Sequence, residues 1–251
     1  MKALSLNCQK GYQPGLKTFL QDTLSRGTYD ALLLQEVSDT VREYLTHPEY
    51  RLLTAVDEVI GKKSMLCIVY REDMHLSARS YQSFSGLRFD PVVGYKHLGF
   101  GVLGGSFTYK GSKICLFSTH LHSGIDSAIR VKELRLLKEQ IRDFVRNNPL
   151  VVGGDFNFGY PWELLRACRI LAPEFLCVTH SLGGTLNSRY SELVNHLPNK
   201  VAHALARFGL GITLKADHFF VDQISAKKET MYTHILPDRV SDHSPIELLF
   251  E

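Results

Sequence analysis

Six short polar clusters stand at the ends of apolar runs of strand length: Asn7, Gln35-Glu36, Thr119-His120-Leu121-His122, Gly154-Asp155-Phe156-Asn157, Asp217-His218 and Ser241-Asp242-His243. The runs fall at 3–6, 31–35, 65–70, 98–108, 113–119, 149–153, 218–224 and 245–250. Helical periodicity appears at 15–25 and 39–46. It is clearest at 126–146, where Ile129, Leu134, Leu137, Ile141 and Val145 recur at spacings of three to five. Asn7, Glu36, His120 and Asp155 each close an apolar run, whereas Asp217 and Asp242-His243 each open one. If the last two strands run opposite to the first four, all six clusters meet along one edge of layered sheets. The expectation is a mixed-sheet α/β fold with its site at that edge.

A chain of 251 residues, 44% of them hydrophobic, can bury one substantial core, and a single domain over 1–251 is expected. No internal repeat or low-complexity segment interrupts it. The stretch 181–216, rich in Gly, Asn and Ser around a helix-like middle at 193–208, reads as a long excursion of the kind that shapes substrate choice. Arg130, Lys132, Arg135, Lys138, Arg142 and Arg146 of the 126–146 helix read as a solvated surface. A net charge of +3 suits a phosphate-bearing substrate but is too mild to demonstrate nucleic-acid binding.

Five cysteines without a C-x-x-C pair read as small buried hydrophobes in a reducing compartment. The N-terminus enters a strand-like run at residue 3, and no apolar run approaches the roughly 18 residues of a membrane span. A soluble, cytoplasmic monomer is expected, with export by a signal-independent route leaving no trace in the sequence.

Carboxylates, amides and imidazoles in these proportions are what metal-assisted hydrolysis of a phosphate ester needs. The site must neutralise charge, deprotonate water and hold both in line with an anionic phosphorus. Glu36 is the candidate ligand for Mg²⁺ or Mn²⁺, since hard cations prefer carboxylate oxygens and keep waters for the substrate to displace. Asp155 is the candidate general base, and Asn157 would orient the water or donate to the developing phosphorane oxygens. The same Gly-Asp-Phe-Asn segment also reads as a plain Asx turn. His243 would donate to a phosphate oxygen. Asn7 suits a phosphate contact, a place beside the metal, or the holding of Glu36. His120 and His122 alternate along a strand end and so share a face, and the sequence ranks neither above the other.

The ordered set of motifs resembles the endonuclease/exonuclease/phosphatase superfamily, with the fold of pancreatic deoxyribonuclease, over nearly the whole chain. It runs from Leu6-Asn7 through Leu34-Gln35-Glu36, Ser118 to His122 and Gly153 to Asn157, then to Asp217 to Phe220 and Ser241 to Pro245. The resemblance implies a four-layer α/β sandwich of two packed mixed sheets flanked by helices. It also implies that Asp217 orients His243, that Asp242 lies nearer the metal, and that the His120 segment lines the scissile phosphate. Gln9 stands where several nuclease members carry a metal-binding Asp, which weakens a two-metal proposal.

On substrate the resemblance leaves alternatives open. A phosphodiesterase acting on DNA or RNA leads. A sphingomyelinase-like or inositol-phosphate hydrolase acting on a lipid headgroup or small phosphoester follows, with Leu6-Asn7-Cys8 and Pro161 to Leu165 resembling the sphingomyelinase branch and the modestly apolar 81–95 segment as a further local support. A non-catalytic binding protein is a minor alternative, disfavoured by the joint presence of Glu36, Asp155, Asn157, Asp242 and His243. A generic phosphate-binding protein is disfavoured too, because the glycine-rich 99–105 run lacks a Lys-Ser/Thr ending.

Overall fold

The computed structural model describes the chain except residues 60–61, 85–87, 91–93, 97–100, 123–126, 146–147, 159–160, 183–184, 188–212, 215, 238–239 and 251. In chain order, β1 (Lys2–Asn7), α1 (Leu16–Ser25), β2 (Ala31–Val37) and α2 (Asp39–Tyr44) precede a long antiparallel pair, β3 (Tyr50–Val59) and β4 (Lys62–Arg71). Next come β5 (His75–Ser83), the short hairpin β6 (Arg88–Asp90) and β7 (Gly94–Lys96), and the hairpin β8 (Gly101–Tyr109) and β9 (Ser112–His120). They are followed by α3 (Ser127–Val145), β10 (Leu150–Asp155), α4 (Pro161–Leu171) and β11 (Phe175–Cys177). The antiparallel pair β12 (Leu186–Asn187) and β13 (Thr213–Leu214) closes the neck of the 181–216 excursion, whose expected helical middle lies outside the described residues. The chain ends with β14 (Asp217–Asp222), α5 (Gln223–Lys228), β15 (Met231–Ile235) and β16 (Ile246–Phe250).

Two six-stranded mixed sheets result, ordered β15-β16-β1-β2-β4-β3 and β11-β14-β10-β9-β8-β5. β1 runs parallel to β2 and β9 parallel to β10, while β16 and β14 run antiparallel to β1 and β10. This is the strand reversal that the cluster positions required. One apolar core lies between the sheets, around Leu33, Ile68, Phe107, Leu116, Val151, Phe219 and Leu248. A second joins the first sheet to α1 and α2 through Leu4, Leu32, Leu16 and Leu20, and a third joins the second sheet to α3 and α4 through Phe117, Phe220, Leu137 and Ala167. The four layers are therefore helix, sheet, sheet, helix.

Strand alternation then aims the polar clusters. Ala3, Ser5 and Asn7 share the inter-sheet face of β1. Ile114, Leu116, Ser118 and His120 share that of β9, and Val151, Gly153 and Asp155 that of β10. Each column is apolar at its base and polar at its C-terminal end, so the residues at the ends collect at the mouth of the gap between the sheets. Just below them a buried amide–hydroxyl layer separates site from core. Gln35 Nε2 donates to Ser118 Oγ at 3.0 Å and to the Leu33 carbonyl at 2.9 Å, and Ser118 Oγ donates to the Leu34 carbonyl at 3.2 Å.

Besides the short β6, β7, β11, β12, β13 and α5, four longer elements were not legible as regular structure: β3, β5, β15 and α4. β5 is an edge strand in which most side chains are half-buried or exposed, which blurs its alternation. The run at 218–224 is shifted, because β14 opens with Asp217 and stops at Asp222. The Asp222 carboxylate accepts from Ser225 N (2.9 Å) to cap α5 and from Leu150 N (2.7 Å) to tie down the start of β10. The described part of the 98–108 run begins at Gly101. All five cysteines are free thiols, with Cys8, Cys67, Cys115 and Cys177 buried and Cys168 half-buried.

Two glycines in β10 permit the close approach beneath the site. A Cβ at Gly153 would lie 2.5 Å from the Phe219 ring and 2.8 Å from Leu33, and one at Gly154 would lie 2.0 Å from the Thr119 carbonyl oxygen on β9. A flexible ring end can shift, whereas paired backbone cannot. Gly154→Ala is therefore expected to cost more than about 2 kcal/mol in urea denaturation, and a variant as stable as the parent would contradict the β9–β10 packing.

Candidate active site

Asp155 ends β10 and is 1% exposed. Its two oxygens do different work. Oδ1 accepts from Asn157 N at 2.9 Å, forming the Asx turn that redirects the chain after the strand. Oδ2 faces the gap, where Asn7 Nδ2 donates to it at 2.9 Å and the Nε2 atoms of His120 and His243 lie 3.5 and 3.7 Å away. The segment is thus an Asx turn whose second carboxylate oxygen is left for the cluster.

Asn7 closes β1. Its Oδ1 accepts from Gln9 N at 2.9 Å, which leaves Nδ2 for the carboxylates: Asp155 at 2.9 Å and Glu36 Oε1 at 3.4 Å. Asn7 therefore turns a donor toward the cluster and braces the two acids.

Glu36 reaches the site through a break in strand geometry. Leu32 and Leu34 face α1, so regular alternation would send residue 36 the same way. A register shift between Leu34 and Val37, with Glu36 at φ 50°, turns its side chain instead toward Asn7 and His120, where Oε1 lies 3.8 Å from His120 Nε2. Left-handed backbone at a non-glycine residue costs about 1–2 kcal/mol, and here it delivers a carboxylate to the mouth of the site. Asn157 is likewise left-handed at φ 52°.

His243 Nδ1 lies 2.8 Å from Asp217 Oδ2, which fixes the ring and aims Nε2 at Asp155 (3.7 Å) and Asp242 Oδ1 (3.9 Å). Asp217 opposes Asp155 in the β10–β14 register, so the pairing of two strands assembles this part of the site. His218, next in sequence, faces the other way. Its Nδ1 meets Thr179 Oγ1 at 3.0 Å, and its ring lies against Phe156 and Phe158.

The two strand-end histidines separate. The His120 ring sits between Glu36 and Asp155, whereas His122 is gripped through its backbone by the helical layer. There Glu133 Oε2 accepts from His122 N at 2.8 Å and Arg130 Nη1 donates to the His122 carbonyl at 3.1 Å. Arg130 also donates from Nε (3.1 Å) and Nη2 to Glu163 Oε1 on α4. Asn157 Nδ2 donates to the Leu121 carbonyl at 2.8 Å, and Leu121 N to the Asp155 carbonyl at 2.9 Å. The backbone just beyond His120 is thereby fastened at every polar group. One Asn157 amide hydrogen is committed to this fastening, which leaves the second for the role expected of it.

Arg130 corrects the expectation of a wholly solvated cationic face: it is 3% exposed, and Glu133 and Glu163 are 0% and 5% exposed. The periodicity held the signal, because Arg130, Glu133, Leu134 and Leu137 continue one helical stripe. The Gln35–Ser118 layer was missed in the same way, although Ser118 stands two residues before His120 on the same face.

The charges are crowded and dry. Burial, reinforced by Asp217, pushes the Asp155 carboxyl up to about 6 against the opposing pull of His243, His120 and the Asn7 donor. Burial, with help from Glu36, pushes Asp242 up to about 6 against the pull of His243. For His243 burial works against the charge, but Asp217, Asp155 and Asp242 outweigh it and hold the imidazolium well above its usual range. A divalent cation fits this donor set. Four acids, Glu36, Asp155, Asp217 and Asp242, outnumber the imidazoles among them; Asp155, Asp217 and His243 are drawn within 4.8 Å of one another by their own ion pairing, which leaves Glu36 and Asp242 the carboxylates free for a cation, and among the described residues Asp217 Oδ1 is a further buried acceptor without a hydrogen-bond partner. Glu36, whose side chain is 24% exposed, is the carboxylate most open to solvent.

The sequence model of the Endonuclease/Exonuclease/phosphatase family matches residues 4–243. Among solved structures, Danio rerio TDP2 complexed with a single-strand DNA product superposes with a TM-score of 0.74 at 20% identity, covering 100% of this chain and 98% of that one. The mannosyl-6-phosphatase Bt3783 of Bacteroides thetaiotaomicron VPI-5482 superposes with a TM-score of 0.70 at 16% identity, covering 100% and 99%. At these identities the likeness concerns the fold. No curated protein sequence matches the chain.

Two outcomes test the site. Asp155, Asp242 and His243 all have folded-state values raised above their unfolded ones, so the stability linked to them is complete at low pH; the two carboxyls lose theirs as pH rises from about 4 through about 6, and His243 continues the loss above about 6.5. In EDTA the melting temperature should therefore fall by several degrees between pH 5.5 and pH 8, and Asp155→Asn should flatten that slope. A midpoint that climbs over this range refutes the charge assignment. Arg130→Ala should cost about 3–5 kcal/mol in urea denaturation, because it strands Glu163 in the interior. A loss below 1 kcal/mol would show the pair to be dispensable.

Proposed function

Because the chain belongs to the endonuclease/exonuclease/phosphatase family, and so to hydrolases acting on phosphoesters, we propose that it is a divalent-metal-dependent phosphodiesterase acting on nucleic acid. The observation that carries the reading is the position of Asp155 Oδ2, 2.9 Å from the Asn7 donor and within 3.7 Å of the Nε2 atoms of both His120 and His243. A buried acceptor among donors is poised to take a proton from water while the neighbouring imidazoles meet phosphate oxygens.

In the proposed mechanism Asp155 removes a proton from the attacking water, which Asn157 helps to orient. His243, kept cationic by Asp217, donates from Nε2 to a non-bridging phosphate oxygen, and His120 lies beside the same phosphate. Asn7 holds Asp155 and Glu36 in register. Glu36 and Asp242 would hold Mg²⁺ or Mn²⁺. When bound, the cation supplies Lewis-acid neutralisation of the phosphate. Of the two strand-end histidines, His120 takes the catalytic place, since its ring meets Glu36 and Asp155 while the backbone of His122 is anchored to α3.

DNA or RNA is favoured as substrate by the TDP2 structure with its DNA product, and a single-domain cytoplasmic monomer accompanies the reading. Hydrolysis of a sugar, inositol or lipid-headgroup phosphoester is the second reading, favoured by the likeness to a mannosyl-6-phosphatase. Its lipid form is favoured by the resemblance of Leu6-Asn7-Cys8 and Pro161 to Leu165 to the sphingomyelinase branch; the 81–95 segment lies in good part outside the described residues, and no described helix is long and apolar enough to cross a membrane.

With Mg²⁺, parallel assays on single-stranded oligonucleotide, plasmid DNA, 5′-tyrosyl DNA, sphingomyelin, inositol phosphates and mannose 6-phosphate should give fastest turnover on a nucleic acid. Asp155→Ala and His243→Ala should each lower kcat by about 10²–10⁴, and a chelator should abolish activity. Undiminished turnover in either variant removes the mechanism, and fastest turnover on mannose 6-phosphate selects the second reading.

A further inference from the structure

α3 and α4 lie side by side and run the same way. Arg130 meets Glu163 near their beginnings, and Lys138 Nζ donates to the Ile170 carbonyl (2.9 Å) about two turns further along each. Both helices begin at the site end of the second sheet, α3 after the His120 strand and α4 four positions beyond Asn157. Glu163 faces inward to Arg130, which holds the carbonyl of His122. The outward side of the same turns carries a different set. Trp162 is 60% exposed and Leu165 63%, and Arg166 and Arg169 continue that stripe at helical spacing. On α3, Lys132 and Arg135 are exposed as well, and the exposed anion Glu139 comes a full turn after Arg135.

A large aromatic 60% exposed at the head of a helix that starts four residues past Asn157, with cations along the same exposed stripe, matches one kind of ligand. Bases offer flat faces to stack on an indole, and phosphates at regular intervals meet guanidinium groups. Two apolar side chains among cations are too few to seat a bilayer surface. We propose that the outward face of the first turns of α4 is a binding strip for single-stranded nucleic acid beside the scissile phosphate. In it Trp162 stacks on a base, and Arg166 and Arg169 hold the flanking phosphates. The inference deepens the phosphodiesterase reading and rests on it for the identity of the polymer.

Trp162 is the chain's one tryptophan, so intrinsic emission excited at 295 nm reports on this strip alone. Titrating the intact protein with an unlabelled 12-nucleotide single strand in EDTA, where no turnover intervenes, should quench that emission in a saturable, salt-sensitive manner. Fluorescence anisotropy of a labelled strand should then give a dissociation constant about 10-fold higher for Trp162→Ala. For Arg166→Glu/Arg169→Glu it should be weaker still, with the salt dependence shallower by about 1.4 in log–log slope. Thermal melts confirm that these surface variants are folded. If the oligonucleotide is cleaved in Mg²⁺ yet leaves Trp162 emission unchanged and binds both variants as it binds the parent, the strip is wrong and the phosphodiesterase reading stands. If emission is quenched and the variants bind weakly while no phosphoester is cleaved, the strip stands and that reading falls. A blue shift on phosphatidylserine vesicles, with no response to the oligonucleotide, overturns the strip in favour of a membrane surface.

Discussion

A buried carboxylate is the constraint around which this molecule is organised. Asp155 is withdrawn from water at the end of a central strand, where its charge is tolerable only if donors and cations come to it. They come from both sheets and from elements far apart in sequence: Asn7 from the first strand, His120 from the parallel neighbour, and His243 from the loop before the last strand, steadied by Asp217 across the β10–β14 ladder. The two sheets are thus joined by an apolar interface below and by a polar one at the rim. Closing the sandwich and assembling the reactive group are the same event.

Much of this was readable because a strand has a period of two and a sheet has edges. Once apolar runs were seen to finish in Asn7, Glu36, His120 and Asp155, and to start at Asp217 and after His243, strand direction followed from the demand that these residues meet. The sheets have that arrangement. What escaped was whatever departs from the period. The arrival of Glu36 depends on a bulge and a left-handed residue that no alternation rule foretells. β5 is an edge strand whose side chains are only partly buried, and the α4 stripe includes Trp162 and Leu165 facing solvent, which blunts the contrast by which an amphipathic helix is recognised. Arg130 was misread because charge usually signals solvent; here a guanidinium is paired inside a helix–helix seam, where position along the stripe was the better guide than residue type.

His120 and His122 show how geometry separates what spacing leaves equal. Both belong to one face by alternation, yet the strand ends at His120, and the next residues are taken up by Asn157, Glu133 and Arg130. The helical layer thus acts on the site through main-chain hydrogen bonds and leaves the inter-sheet gap to the reacting groups. The same fold is shared by a protein complexed with a single-strand DNA product and by a mannosyl-6-phosphatase.

The amide–hydroxyl layer formed by Gln35 and Ser118 has a consequence for how such a molecule can change over generations. It is a partition: the greasy interior ends below it, and above it lies a chamber furnished almost wholly from strand tips and loops. New side chains at the rim would meet that partition before disturbing the interior. The scaffold is therefore free to exchange one phosphate-bearing guest for another without being refolded each time.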